Sequence, residues 1–166
     1  MPEPIFCACA LLAICYGLNV YLLKQKRRPA ANGKTDHGLP HKRQTQSMSA
    51  GRSAQIATLN DRFRSACGAG EPPIAGRYAM TSGVAALEPQ FQSAALQQVR
   101  SFDSFTDEND PYGEHDFGGF ELEDAGERLF WKIDYYADQQ MVMGAEDPSD
   151  ADASYRVLTL MLASEY

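Results

Sequence analysis

"DFGGFELEDAGERLFWKIDYY", Asp116 to Tyr136, decides the fold. Two aromatic-rich runs flank Ala125-Gly126, which is the pattern of two strands joined as a β-hairpin. With Asp124 opposite Glu127, Leu122 faces Leu129, Phe120 faces Trp131, Gly118 faces Ile133 and Asp116 faces Tyr135, so the large apolar partners share one face. A slip by one residue would turn Phe120 and Leu122 to the polar side, so the parity of this register is strongly specified. The other face then carries Glu123 with Arg128, Gly119 with Lys132, Phe117 with Asp134 and His115 with Tyr136.

Helical and turn patterns flank the hairpin. Upstream, Ser53 to Cys67 places Ile56, Leu59, Phe63 and Cys67 on one apolar stripe, as a half-buried helix requires. "RYAMTSG" reads as a strand over Arg77–Thr81 with a turn at Ser82-Gly83. A second helix runs over Glu88–Phe102, with Pro89 in its first turn. Downstream, "QQMVMG" reads as a third meander strand and "EDPSDADAS" as a turn. Ala151–Ser164 is expected to be a last helix, with Val157, Leu158, Met161 and Leu162 inward. The expected class is α+β: an antiparallel sheet of about four strands with three helices, in the order α-β-α-β-β-β-α.

The charge is split along the chain. The net charge of −7 conceals +5 over residues 1–48 and −12 over 49–166. Within 103–152, 16 acids stand against Arg128 and Lys132. Such a surface repels nucleic-acid phosphates and suits a basic partner. Direct nucleic-acid binding is therefore not expected, whereas a basic or nucleic-acid-binding protein is, and acids spaced like phosphates would occupy the latter. Cys7, Cys9, Cys15 and Cys67 have neither zinc-site nor disulfide-framework spacing, which points to reduced thiols and a cytoplasmic domain.

The N-terminal part divides differently. Ile5 to Leu23 is nineteen residues without a charge, and as a helix it would span about 28 Å, close to a bilayer core. "KQKRR" follows it, so residues 1–28 read as a single-span inner-membrane anchor with its C-terminal side in the cytoplasm. Residues 29–48 read as a disordered linker and 49–166 as the acidic domain. The alternative is translation from Met48, and a membrane partner is expected only if residues 5–23 are translated.

Several blocks, "TLNDRFR", "TSGVAAL", "FDSFTDENDPYGEHDFGGFEL", "FWKIDYY", "GAEDPSD" and "RVLTLMLASEY", resemble a bacterial family known as domain of unknown function 3768. The resemblance covers roughly residues 55–166. It carries no established activity, ligand or catalytic residue, so it implies a domain boundary and no site.

Candidate chemistry is sparse. His115 is the one histidine within the domain. As a general base it needs an orienting acid, for which Asp134 is the better partner, Glu114 and Asp116 pointing away from it along an extended chain. The bland alternative is a histidine that fixes the start of the strand. "DENDPYG", with Asn109 and Asp110, fails the calcium-loop pattern because Pro111 and Tyr112 fall at ligand and glycine positions; it reads as a turn. Gly118 and Gly119 in a strand mark a bulge or a close approach, and they leave a slot edged by Lys132, Asp134 and Phe117. The candidate catalytic residues are thus His115, Asp134 and Lys132. The wider functional surface adds Asn109, Asp110, Glu114, Asp116, Gly118, Gly119 and Tyr136. No metal site and no cofactor motif is read. The leading function is a non-catalytic interaction module, and the alternative is a small metal-assisted hydrolase built on His115 and neighbouring acids.

Overall fold

A computed structural model describes residues 41–166, with side chains from Ser49 onward. The expected anchor over Ile5–Leu23 lies outside the described residues. Among those described, no helix is long and apolar enough to cross a membrane.

Helix α1 runs from His41 to Ser65, starting ahead of Ser53. Its stripe is as expected at Ile56, Phe63 and Cys67, all buried, but Asn60 and Arg64 lie on the same stripe and are buried too. Gly68 ends this segment with φ 74°, the left-handed conformation glycine takes at helix C-termini. Strand β1 (Gly76–Met80) follows, then a single helical turn, α2 (Ser82–Ala85), and α3 (Pro89–Ser101). Pro89 opens α3, and Ala95 and Val99 form its buried face. Strands β2 (Phe117–Leu122), β3 (Glu127–Tyr136) and β4 (Tyr155–Leu162) complete the domain.

Among the described residues the class is α+β, with three helices and a four-stranded sheet in the order β1-β4-β3-β2. Three corrections follow within it. The segment expected as a last helix is β4, and five consecutive residues, Val157 to Met161, are buried. A strand covered on both faces is a continuous apolar run, which periodicity cannot separate from a buried helix. Because β4 pairs antiparallel with β3 and parallel with β1, the sheet is mixed rather than purely antiparallel. Finally, "QQMVMG" is not a third strand: the flank it would occupy along β3 belongs to β4, and a single bridge, Tyr136 to Gly144, remains.

The hairpin has the expected parity but is displaced by two positions: Phe120 pairs with Leu129 and Gly118 with Trp131. The reason is the turn. Glu123–Ala125 forms a 3-10 turn closed by Gly126 at φ 65°, a longer connection than the two-residue turn that places Asp124 opposite Glu127. A shift of two keeps every side chain on its face. Leu129, Trp131, Ile133, Leu158 and Leu160 therefore pack with Ile56, Phe63, Val84, Ala95 and Val99 in one core between the sheet and the helices.

On the opposite face, Phe117, Phe130 and Tyr166 make an aromatic cluster, with ring centroids 5.4–5.6 Å apart. The slot expected over Gly119 is absent, because a Cβ there would meet the Phe130 ring at 2.7 Å.

Glu165 ties the far end of the domain to α2. Its carboxylate accepts from Thr81 Oγ1, Ser82 Oγ and the Gly83 and Leu162 backbone N–H groups. Partial burial pushes this carboxyl up, and the donated hydrogen bonds outweigh it and hold it below its ordinary value. A depressed carboxylate stabilises the fold above its unfolded pKa, and that contribution is lost as pH falls through the folded value. Glu165→Gln should thus flatten the pH dependence of the urea midpoint below about pH 4.5 while leaving the slope near neutrality unchanged. An identical acid limb in the variant would refute this.

Candidate functional site

The loop between α3 and β2, residues 102–116, is built by local hydrogen bonding. Asn109 stitches it: Nδ2 donates to the Ser104 carbonyl and Oδ1 accepts from Thr106 N–H. Asp110 is buried, and its Oδ1 accepts from the backbone N–H groups of Glu114 and His115. Gly113 N–H donates to the Asp110 carbonyl, so "NDPYG" is the turn its residue types indicate. Glu114 is buried, and its carbonyl accepts from Asn60 Nδ2 at 2.7 Å.

His115 is the centre of this loop. Its φ of 51° lies in the left-handed region and breaks the alternation of faces that an extended "EHD" would show. The ring consequently turns to the helix side of the sheet. It stacks flat on Phe105, with centroids 3.8 Å apart and planes at 1°. Nδ1–H donates to Asp61 Oδ2 of α1 at 2.9 Å, and Nε2 lies 3.7 Å from Asp110 Oδ2. Asp61 also accepts from Arg64 Nη2 at 2.9 Å. Arg64 continues inward, donating Nη1 to the Val99 carbonyl and lying against the Phe105 and Trp131 rings.

The expected trio of His115, Lys132 and Asp134 is thus divided. Lys132 and Asp134 sit on the sheet face away from Trp131 and pair with each other at 2.8 Å, with Lys132 buried. His115 takes Asp61 and Asp110 as its carboxylate partners. Tyr136 belongs to the Lys132 face; burial and then the Asp134 carboxylate raise its phenol, which Arg77 partly offsets. Burial first, and then the charge of Asp116, hold the Tyr135 phenol well above its ordinary range. Gly118 meets the Trp131 indole edge and the Phe102 ring, each within 2.8 Å of an added Cβ, so it is packing room rather than a binding gap.

A second polar group lies deeper. Arg156 is fully buried in β4 and donates to Asn60 Oδ1, Ser154 Oγ and the Pro148 carbonyl. Asn60 Nδ2 also reaches Tyr135 Oη at 2.6 Å. Both clusters tie separate segments of the chain together. His115 Nε2 is 3.7 Å from Asp110, beyond hydrogen-bonding distance, and its side chain is 29% exposed. Asp61 and Asp110 sit against opposite ring nitrogens, so the two do not converge on one ligand position. Among the described residues, no group of three His, Cys, Asp or Glu is arranged to hold a metal ion.

Asp61→Ala should therefore cost stability. It removes the acceptor of both His115 and Arg64, and hydrogen bonds to charged groups contribute about 1.5–3 kcal/mol each when buried. Asp61 is half-exposed, so about 1–2 kcal/mol in total is expected by urea denaturation. A loss under about 0.5 kcal/mol would refute the fastener role.

The family model for protein of unknown function (DUF3768) matches residues 80–165, just over half of the 166-residue chain. The chain belongs to this family. The DUF3768 match takes in α2, α3, β2, β3 and β4 but leaves out α1, so it is shorter than the resemblance over 55–166. His115 and Asp110 fall within the DUF3768 region; Asn60, Asp61 and Arg64 fall before it. No curated protein and no solved structure matches the chain.

Asn60, Asp61, Arg64 and Arg156 are the residues sequence reasoning missed as parts of these clusters. A signal existed for some of them. "NDRFR" puts polar residues onto an apolar stripe, and Arg156 opens an apolar run.

The surface completes the geometry. β2 begins, β3 ends and β4 begins at one end of the sheet. That end carries two acidic segments, with Asp103, Asp107, Glu108, Asp138, Glu146, Asp147, Asp150 and Asp152 all exposed. Arg64, Lys132 and Arg156 are buried, while Arg52 pairs with Asp147 at this end and Arg77 lies beside Tyr136.

Proposed function

We propose that the domain is a non-catalytic interaction module that binds a basic protein partner, most sharply a nucleic-acid-binding protein whose phosphate-binding surface its carboxylates occupy. One observation carries this reading: the domain turns three of its cations inward, and the segments adjoining one end of the sheet leave eight carboxylates exposed, of which Asp147 alone is recorded with an arginine, Arg52. Such a field steers a positively charged partner and rejects phosphate. The reading places the domain in the cytoplasm, where the buried free thiol of Cys67 stays reduced.

Capture from a native lysate on the immobilised full chain tests it. The captured proteins should be strongly basic and should be released by high salt. They should also be lost when Asp103, Asp107, Glu108 and Asp152 are replaced by their amides. A captured set no more basic than the lysate, or indifferent to salt and to neutralisation, would overturn the reading.

A further inference from the structure

The segment after β3 displays large apolar side chains where nothing in the fold requires them. Val142 and Met143 are 68% and 69% exposed, although the backbone that carries them is firmly held. Ala137 N–H donates to the Met143 carbonyl at 2.8 Å, Ala145 N–H donates to the Tyr135 carbonyl at 3.2 Å, and Met141 N–H reaches the Asp138 carbonyl. Asp138 Oδ1 accepts from Gln140 N–H. Tyr136 pairs with Tyr155 on one side and bridges to Gly144 on the other, so the segment returns along β3 on the flank that β2 leaves. Met141 adopts φ 56°, a left-handed conformation that a non-glycine residue holds only when its surroundings enforce it.

An ordered turn that keeps two bulky apolar groups in water is a contact surface in waiting, and methionine adapts well to an irregular pocket. Its setting names the partner's chemistry. Asp138, Glu146 and Asp147 surround the pair in sequence and are exposed, with Arg52 the basic group recorded on Asp147.

We propose that Val142 and Met143 form an apolar knob that docks into a socket, rimmed by lysine and arginine, on a partner protein. The proposal rests on the interaction reading above and names its contact point. The apolar pair supplies the desolvated centre and the acids supply the complementary rim.

The test uses the full chain with photoreactive benzoyl-phenylalanine in place of Val142, irradiated in native lysate. Adducts should form with a protein whose cross-linked peptide is apolar and flanked by lysine or arginine. Their yield should fall at least about tenfold in chains that also carry Asp138→Asn and Glu146→Gln. In parallel, a chain with Val142→Ser and Met143→Ser should keep its urea midpoint and lose capture of the same protein. Undiminished capture by that chain, an adduct to a second copy of this chain, or an adduct without the basic rim each overturns the knob. If basic proteins are still captured in an acid-dependent way, the interaction reading survives that failure; if none is captured by the unaltered chain, both fall.

Discussion

Arg156→Ala should lower the unfolding free energy by about 3–5 kcal/mol, measured by urea denaturation. Arg156 is fully buried in β4, one of the two inner strands, and its hydrogen-bond partners are neutral oxygens: Asn60 Oδ1, Ser154 Oγ and the Pro148 carbonyl. Its guanidinium also lies 5.5 Å from the Tyr135 ring centre. Burial pulls this guanidinium below its ordinary value, so hydrogen bonds must compensate its desolvation. Truncation leaves three oxygens short of a donor and opens a cavity, and each of these costs stability. Arg156→Met keeps the aliphatic stem and should lose about 1 kcal/mol less. Asn60→Ala should be strongly non-additive with Arg156→Ala, by about 1–3 kcal/mol, because the two act as one unit. A cost below about 1.5 kcal/mol for Arg156→Ala would mean that the group is not a keystone of the fold.

The second large effect is expected at Trp131. Trp131→Ala should cost about 3–5 kcal/mol, since the indole is fully buried and touches Phe102, Phe105 and Arg64. Gly118 stands against it: an added Cβ would come within 2.7 Å of Trp131 Nε1 and 2.8 Å of the Phe102 ring. Gly118→Ala should thus cost about 1–3 kcal/mol through overpacking. In the double variant the methyl enters space vacated by the indole, so the combined loss should fall short of the sum by at least about 0.5 kcal/mol. Trp131 is the chain's single tryptophan, so unfolding must be followed by circular dichroism. Strict additivity would show that the glycine is not there to admit the indole.

Much of the architecture is legible in the sequence. The stripe on α1 and the facing of Leu122, Phe120 and Gly118 follow from periodicity, and a helix with Pro89 in its first turn follows from proline chemistry; all hold in the structure. The register slipped by two because turn length is set by local backbone at Glu123–Gly126, which alternating hydrophobicity does not encode. β4 resembles a helix in sequence because a strand buried on both faces has no alternation to display. For His115 the pattern points to Asp134 as its carboxylate partner, whereas the structure gives it Asp61 and gives Asp134 to Lys132. Asp61 is distant in sequence, and the ring reaches it only because His115 adopts a left-handed backbone. Local patterns predict faces; they do not predict which distant side chain closes a hydrogen bond.

The placement of β4 between β1 and β3 has a consequence for how the protein is made. Of the four strands of this sheet, the last to leave the ribosome is the one against which two earlier strands must zip. Until Leu162 has emerged, β1 has no neighbour and the β2–β3 hairpin stands alone, a unit of marginal stability in water. A nascent chain stalled before Tyr155 should therefore be protease-sensitive throughout. Completion of the sheet thus waits for synthesis of β4 and requires closing the long loop between β1 and its parallel mate.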